Sequence, residues 1–307
     1  MRALVADPAA AGRLSFQEMA EPEPGPGEAV VSVRAISINR GELHRLQAAA
    51  PGWRPGWDIA GVVESAARTG GGPATGARVV GVLPGAAWAE RVAVPTGSLA
   101  ELPDTVGDAQ AAALPVAGLT ALRMLRLGRG LLGHRVLVTG AAGGVGRFAV
   151  QLARIGGAEV TAVVGSPARA AGLAELGAHR VLVGVEELEG RFDLVLESVG
   201  GESLARLVTA VDPLGTLVMF GNSSDRPTTF DVRDVYLGGA VQLRGFTIFQ
   251  TFAGEPPGRD LGYLAALVAA GSLDPQVDAE LPWTDAAAAL QRLRERSVPG
   301  KLVLRVP

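Results

Sequence analysis

The chain has 307 residues, of which 48% are hydrophobic, so it is long enough to bury a large core and to form two domains. The formal net charge is only −3 and no stretch is rich in Lys or Arg, which argues against nucleic acid or an anionic membrane as the main partner. Cysteine is absent, which excludes disulfides, thiolate metal sites and a cysteine nucleophile.

The first residues contain no apolar segment typical of a signal peptide. No apolar run approaches the ~20 residues that a membrane-spanning helix needs. We therefore expect a soluble, cytoplasmic protein.

The first hundred residues are predicted to form short β-strands joined by turns. A Pro/Gly-rich segment at 21–27 cannot be helical, and it leads into a stretch at 29–38 that is rich in β-branched residues. Further short strands, bounded by Gly and Pro, are predicted at 58–66, 77–83 and 86–94. This spacing indicates a barrel-like or sandwich-like β domain.

A helical composition begins at 108, with Pro115 as a break, and strands alternate with helices from 135 onward. Strands are predicted at 135–140, 159–165, 180–184, 192–200 and 215–221, and helices at 145–157, 167–177 and 202–211. Nearly continuous apolar strands that alternate with helices indicate a parallel sheet covered on both faces.

The last fifty residues have a different pattern. Two helices are predicted at 258–271 and 283–296, followed by a strand at 301–306. This strand is too isolated to extend the βα series, so we expect it to return to the first domain. The predicted domains are a discontinuous one formed by 1–113 and 258–307, and an inserted one formed by 114–257.

A glycine-rich loop joins the strand at 135–140 to the helix that follows it. Glycines allow a tight turn and a close approach of the backbone to a pyrophosphate, and a helix that starts near Gly144 points its N–H groups and positive dipole end at the phosphates. The alternative is a glycine-rich turn without a ligand. Because the loop lies inside a βαβ unit, we predict that it binds a dinucleotide through Gly140, Gly143, Gly144, Val145 and Gly146.

The end of the second strand indicates which dinucleotide is bound. An NAD site usually has an Asp or Glu there that holds the ribose hydroxyls, but this chain has Gly165. Ser166 can donate a hydrogen bond to a 2′-phosphate, and Arg169 can pair with its charge. The sequence therefore favours NADPH over NADH; the alternative is that Arg169 is a solvated surface residue.

Further motifs occur along the whole chain, at Ser37-Ile38-Asn39, Pro55–Val63, Ala87–Glu90, Ala113–Ala121, Ser198–Gly201 and Gly300–Leu304. With the glycine loop, they make the chain resemble the quinone oxidoreductase branch of the medium-chain dehydrogenase/reductase superfamily. The resemblance implies an α/β fold in which a GroES-like β domain is split around an inserted Rossmann domain with a doubly wound parallel sheet.

The resemblance also bears on metal binding. Zinc alcohol dehydrogenases of this superfamily carry Cys, His and Cys at positions that match Asn39, Trp57 and approximately Val116 here. None of these is a plausible zinc ligand, so we expect no metal. Without a Lewis acid, hydride transfer is easiest to an acceptor that delocalises the incoming charge, such as a quinone or an α,β-unsaturated carbonyl.

Site residues follow from the same family pattern. Asn39 and Thr120 are the predicted catalytic residues, with turn capping by Asn39 and a backbone hydrogen bond of Thr120 as the alternatives. Further cofactor contacts are predicted at Val199, Phe220, Gly221, Phe246 and Ile248. Substrate contacts are predicted at Trp53, Trp57 and Trp88, although a tryptophan is more often a core residue.

The chain departs from the family pattern at two tyrosine positions. One tyrosine near the substrate is missing from the segment Gln47–Ala50, which leaves the proton donor unidentified, so water is a candidate. Another, which commonly helps to bind the 2′-phosphate, is missing near Gly184-Val185.

Three functions are compatible with the sequence. The first is an NADPH-dependent reductase of quinones or α,β-unsaturated carbonyls, the second an enoyl-thioester reductase of secondary metabolism, and the third a catalytically inactive NADPH-binding structural or sensor protein. We also expect a homodimer, because this family commonly pairs the edge strand near Val241–Phe246 across a two-fold axis.

Overall fold

The computed structural model describes residues 1–239 and 241–307. Its strands are, in chain order, β1 (Arg2–Ala6), β2 (Leu14–Glu18), β3 (Glu28–Ile38), β4 (Asp58–Ser65), β5 (Arg78–Val82), β6 (Arg91–Pro95), β7 (Leu99–Glu101), β8 (Arg135–Thr139), β9 (Glu159–Val164), β10 (Arg180–Val183), β11 (Phe192–Glu197), β12 (Val211–Met219), β13 (Gln242–Gly245), β14 (Val277–Pro282) and β15 (Lys301–Arg305). The α-helices are α1 (Arg40–Ala48), α2 (Asp108–Ala112), α3 (Pro115–Leu125), α4 (Gly144–Ile155), α5 (Gly201–Val208), α6 (Val232–Tyr236), α7 (Gly258–Ala269) and α8 (Ala286–Arg294).

The backbone divides into two compact units. The first contains residues 1–119 and 249–307, and the second contains residues 120–248. The boundaries drawn from the sequence fall several residues away from these. The reason is that regular structure crosses both junctions: α3 crosses the first, and a short 3-10 helix at Ile248–Thr251 crosses the second.

The first unit is built on a seven-stranded sheet with the order β14-β15-β3-β4-β5-β7, in which β6 also pairs with β3. The long strand β3 is apolar and β-branched, and it pairs with three other strands. The last strand, β15, runs antiparallel to β3, with Leu302 opposite Ile38. This register places the start of β15 beside the end of β3, where the candidate active-site residues of this unit begin.

The second unit is a six-stranded parallel sheet with the order β10-β9-β8-β11-β12-β13. The chain moves outward from β8 to one edge, returns to the middle at β11 and continues to the other edge. This is the strand order of dinucleotide-binding doubly wound sheets, so the predicted α/β class with an inserted parallel-sheet unit is confirmed.

One predicted helix of this unit is wrong. Residues 167–177 form only a 3-10 turn at Pro167–Arg169 followed by irregular turns. Gly172 and Gly177 have φ values of +77° and +108°, which an α-helix cannot contain, and so they interrupt the apolar pattern that predicted the helix.

In the part of the chain that the structure describes, no helix has both the length and the apolar character needed to span a bilayer.

Candidate active site

The carboxyl ends of the parallel strands lie side by side along one end of the second unit's sheet. We call this end the carboxyl edge, and it is distinct from the edge strands β10 and β13. Because β8, β9, β11, β12 and β13 run in the same direction, the residues that follow them lie at this edge. The structure thereby places most of the predicted cofactor residues at one edge, namely Gly140 to Gly146 after β8, Gly165, Ser166 and Arg169 after β9, Val199 after β11, Phe220 and Gly221 after β12, and Phe246 after β13. Ile248 lies slightly further along the chain and is buried.

Two glycines of the loop after β8 are required by close contacts. Gly140 has a φ of +58°, and a Cβ there would lie 2.6 Å from the Oγ of Ser198. A Cβ at Gly146 would lie 2.4 Å from the carbonyl oxygen of Gly140 and 2.6 Å from the Cα of Ala141. The loop can therefore approach the first turn of α4 this closely only because Gly146 lacks a side chain, while Gly140 provides the positive φ of the turn and leaves room for Ser198.

The amino end of α4 is suited to binding an anion. Gly143 is the N-cap residue and supplies no side-chain hydrogen bond, and the first turn contains no acidic residue. The first N–H groups of a helix lack partners within the helix, and they carry the positive end of its dipole. The backbone at Gly144, Val145 and Gly146 can thus bind phosphate oxygens.

A buried carboxylate beneath this edge was missed by the sequence analysis. Glu197, the last residue of β11, is 0% exposed. Its oxygens accept hydrogen bonds from the backbone N–H groups of Val199 and Gly200, at 2.9 and 3.0 Å, and from the Ser203 hydroxyl at 3.1 Å. Burial raises the pKa of this carboxyl, and the backbone hydrogen bonds oppose the increase. Glu197 therefore fixes the loop that follows β11.

Hydrogen bonds within the unit already use the backbone N–H groups of three predicted cofactor residues. Val199 donates to the Glu197 side chain, Phe220 to the Glu197 carbonyl oxygen at 2.9 Å, and Phe246 to the Met219 carbonyl oxygen at 2.9 Å. Any contact of these residues with a cofactor must therefore use side chains or carbonyl groups.

The end of β9 is open. A Cβ at Gly165 would have no atom within 4 Å, so packing does not require glycine there. Ser166 and Arg169 follow it in the chain. The position where an acidic residue would hold ribose hydroxyls is therefore free of both bulk and negative charge.

A buried polar network lies in the first unit, with Asp58 at its centre. One carboxylate oxygen of Asp58 accepts from the Ser37 hydroxyl at 2.7 Å and from the Asn39 amide nitrogen at 2.8 Å. The other accepts from the backbone N–H of Val116, in the first turn of α3, at 2.9 Å. Asp58 is 0% exposed, so the helix dipole and these donors compensate a charge that has lost its water.

Lys301, the first residue of β15, completes the network. Its ammonium donates to the Asn39 amide oxygen at 2.7 Å and lies 3.5 Å from the Asp58 carboxylate. Both polar atoms of the Asn39 amide are therefore fixed by hydrogen bonds, the oxygen by Lys301 and the nitrogen by Asp58. Asn39 also occupies the N-cap of α1, where its backbone N–H donates to the Glu42 carboxylate at 2.7 Å.

Sequence reasoning missed Asp58 and Lys301, yet one signal was available. The chain contains 27 arginines and a single lysine, which is Lys301. A lone lysine in so arginine-rich a chain indicates a position where the two cations are not interchangeable.

Glu42 is a second buried carboxyl beside this network. It is 1% exposed, and one of its oxygens has no hydrogen-bond partner among the described residues. Burial raises the pKa of Glu42 well above its ordinary value, and repulsion by the Asp58 carboxylate adds to the increase. The folded protein therefore keeps the proton of Glu42 to a higher pH than an ordinary glutamate would.

Two of the three predicted substrate tryptophans are buried. Trp88 is 1% exposed and packs against Gly56, whose φ is +106°. Trp57 is 5% exposed, and its ring lies 5.0 Å from that of Phe249, measured between centroids. Trp53 is half-buried against the same core. The structure favours a core role for Trp88, and Trp53 is the most accessible of the three.

The donor set at the positions matching the zinc ligands does not suit a metal. The Asn39 amide already bonds to Lys301 and Asp58, Val116 contributes a backbone N–H, and Trp57 offers no lone pair. In the described ranges, 1–239 and 241–307, no three His, Cys, Asp or Glu side chains are grouped so that they could hold a metal ion. The other predicted catalytic residue, Thr120, lies on α3 in the second unit and is 6% exposed.

Two family models match the chain. The model described as alcohol dehydrogenase GroES-like domain matches residues 25–104, and the model described as zinc-binding dehydrogenase matches residues 174–304. Among solved structures, the quinone oxidoreductase of Thermus thermophilus, whose description includes a complex with NADPH, is 32% identical, with a TM-score of 0.85 and coverage of 100% of both chains.

Curated relatives include much larger proteins. The phthioceranic/hydroxyphthioceranic acid synthase of Mycobacterium tuberculosis is 31% identical over 92% of this chain, and a spectinabilin polyketide synthase system protein of Streptomyces orinoci is 36% identical over 92%. The chain spans 14% of the length of the first relative and 13% of the second.

Replacing Glu42 with Gln should give a variant whose free energy of unfolding exceeds that of the wild type by an amount that grows as the pH rises. Above 4.5, the ordinary pKa of a glutamate carboxyl, the unfolded wild-type chain releases this proton while the folded chain retains it. The wild-type protein therefore loses stability as the pH rises toward the raised pKa, by about 1.4 kcal/mol for each pKa unit of the increase. Glutamine retains an oxygen for the Asn39 N–H and has no such proton.

The measurement is the free energy of unfolding in denaturant, for both proteins, across a pH series. We expect the difference in favour of the variant to grow with pH. A difference that stays constant over the series would contradict the assignment of a raised pKa to Glu42.

Proposed function

The chain belongs to the medium-chain dehydrogenase/reductase superfamily, in its zinc-free quinone oxidoreductase-like branch, and on this premise we propose that it is an NADPH-dependent oxidoreductase. The proposed hydride acceptor is a quinone or an α,β-unsaturated carbonyl. The observation that carries the proposal is the glycine loop at 140–146, in which Gly140 has a positive φ and a Cβ at Gly146 would clash with the backbone of Gly140 and Ala141. We further propose that the protein acts in the cytoplasm.

The residues at the sheet edge suit this cofactor. The backbone N–H groups of Gly144 to Gly146 would hold the diphosphate, with Gly143 shaping the turn through its own hydrogen bond to Gly140. The side chains at the ends of β11, β12 and β13 would border the nicotinamide half. Bound NADPH supplies the hydride, while the protein supplies orientation and polar stabilisation.

The open end of β9 supports the choice of NADPH. Gly165 leaves space for a 2′-phosphate, and Ser166 and Arg169, which follow it in the chain, would provide a hydroxyl and a positive charge. An acidic side chain, which would repel this phosphate, is absent from these positions.

The network around Asp58 supports an acceptor that needs only hydrogen bonds. Asp58 takes one of the two protons of the Asn39 amide nitrogen, and the second has no partner among the described residues. We assign to this N–H the stabilisation of the substrate oxygen that gains charge when hydride is added at the conjugated carbon. Thr120 remains a proposed contact, and water is the proposed proton source.

An enoyl thioester is the second candidate acceptor. It is favoured by the match of 92% of the chain to segments of the phthioceranic/hydroxyphthioceranic acid synthase and of the spectinabilin polyketide synthase system protein. Its conjugated carbonyl makes the same demand on the site as an enone does. The third possibility, a non-catalytic NADPH-binding protein, predicts binding without turnover.

A panel assay separates these functions. NADPH oxidation should be followed with quinones, enals and enoyl thioesters as acceptors, and NADPH affinity should be measured by calorimetry. We expect turnover with at least one conjugated acceptor and none with a simple ketone. Tight NADPH binding without any turnover would favour the non-catalytic function, and no affinity for either nicotinamide cofactor would refute the proposal.

Arg169→Ala should weaken NADPH binding and leave NADH binding unchanged. Loss of one charge-assisted contact to the 2′-phosphate should raise the Kd for NADPH about tenfold or more. The matched control is Arg180→Ala, at the amino end of the neighbouring strand β10 and therefore at the opposite edge of the sheet. An equal loss of affinity for both cofactors in Arg169→Ala would show that Arg169 does not recognise the 2′-phosphate.

We also propose that the protein is a homodimer that pairs through the edge strand β13. This strand has only β12 as a neighbour in the described sheet, so one row of its backbone groups is open to a second copy. Light scattering coupled to size exclusion should give about twice the chain mass of 31.4 kDa. A mass equal to one chain at micromolar concentration would contradict this proposal.

A further inference from the structure

The single lysine of the chain is buried at a position that matches the hydrogen-bonding capacity of an ammonium group. Lys301 is 3% exposed. Its Nζ lies near three acceptors: the Asn39 amide oxygen at 2.7 Å, the Ile38 carbonyl oxygen at 3.4 Å and the Asp58 carboxylate at 3.5 Å. An ammonium has three N–H donors, so each acceptor can receive one.

An arginine would not suit this position. Its planar guanidinium has five N–H donors, so two would be left without a partner when each of the three acceptors receives one hydrogen bond. An unpaired buried donor is costly. The chain has arginine at its 27 other Lys or Arg positions and lysine only here. The position therefore demands the geometry of lysine as well as a positive charge.

We propose that Lys301 is the positioning residue for Asn39, which rests on the proposed role of Asn39 as the hydrogen-bond donor to the substrate oxygen. The ammonium binds the amide oxygen while Asp58 accepts one amide proton. Both contacts select the same orientation of the amide, so its second N–H points in one fixed direction. A cation at the oxygen also draws electron density from the amide, which strengthens the remaining N–H as a donor.

The fold explains why the lysine comes from the far end of the chain. β15 lies beside β3, with Leu302 opposite Ile38, so the residue before Leu302 is adjacent to the residue after Ile38. Lys301 and Asn39 are 262 residues apart in sequence, yet this register brings them into contact. The positioning contact is therefore fixed by main-chain pairing and does not depend on a mobile loop.

The orientation of Asn39 can be observed directly, because the chain contains only two asparagines, Asn39 and Asn222. Selective labelling with ¹⁵N-asparagine gives two side-chain amide groups in an NMR spectrum, and an Asn222→Ala variant assigns them. In Lys301→Met we expect the Asn39 amide resonances to move or broaden while those of Asn222 stay in place. The matched control is Arg305→Met, which removes an exposed cation from the same strand and should leave both groups unchanged.

Turnover provides the second readout. In Lys301→Met we expect kcat to fall about tenfold or more, because a polarised donor to the developing charge is lost. The Kd for NADPH should stay within about twofold of wild type, as in the Arg305→Met control.

A double variant separates positioning from folding. Lys301→Met leaves the buried Asp58 carboxylate without its cation, which is destabilising in itself. Lys301→Met combined with Asp58→Asn removes both charges, so its melting temperature should recover relative to the single variant while kcat stays low. Recovery of kcat together with stability would show that Lys301 acts only on folding and would overturn the proposal.

The proposal and the proposed function fail in different ways. Unchanged Asn39 resonances in Lys301→Met would overturn the positioning role, whatever the activity. If the wild-type protein reduces no acceptor in the panel, the proposed function fails, and the resonances still report whether Lys301 orients Asn39. Displaced resonances with an unchanged kcat would show that Asn39 is oriented by Lys301 but is not the donor, which also overturns the proposal.

Discussion

The carboxylate of Asp58 connects three segments of the chain that are distant from one another in sequence, at residues 37–39, 116 and 301. It accepts hydrogen bonds from Ser37 in β3, from Asn39 at the start of α1 and from Val116 in the first turn of α3, and Lys301 of β15 provides its cation. A buried charge is tolerated only when it is fully bonded, so each of these elements must be in place for the others to be stable. The relative arrangement of two helices and two strands is thus tied to a single side chain. That arrangement in turn determines where Asn39 lies.

The second unit contains a comparable arrangement. Glu197 ends β11 as a buried carboxylate, and it accepts N–H groups from the loop that follows. The Thr139 hydroxyl, at the end of the neighbouring strand β8, accepts from the Ser198 N–H at 2.9 Å and so links this loop to the glycine loop. In both units, a buried carboxylate orders the segment that is proposed to bind a ligand. Rigid support of this kind keeps backbone donors in place without ligand-induced ordering.

Local patterns in the sequence were sufficient to predict the fold class of the inserted unit. The alternation of apolar strands and helices and the glycine loop between β8 and α4 indicated a parallel sheet with a dinucleotide-binding edge. The helix predicted at 167–177 is wrong because composition favours a helix there but does not reveal the positive φ values of Gly172 and Gly177.

Contacts between distant residues could not be predicted in the same way. Asp58 read as an ordinary strand residue, and Lys301 as the start of a terminal strand. Their pairing depends on the register between β15 and β3, which no local spacing encodes. The same applies to Trp88, whose burial depends on the space that Gly56 leaves for its ring.

The insertion of the parallel-sheet unit into the other unit has a consequence for biosynthesis. Because β15 pairs with both β14 and β3, the sheet of the first unit stays incomplete until residues 301–305 have left the ribosome. By then, residues 120–248 have been available for folding for some time, since domains generally fold as units during synthesis. Until β15 arrives, Asp58 has no cationic partner and β3 has an open edge. Part of β3 therefore stays unpaired until β15 has been synthesised, and that interval is open to strand-mediated aggregation.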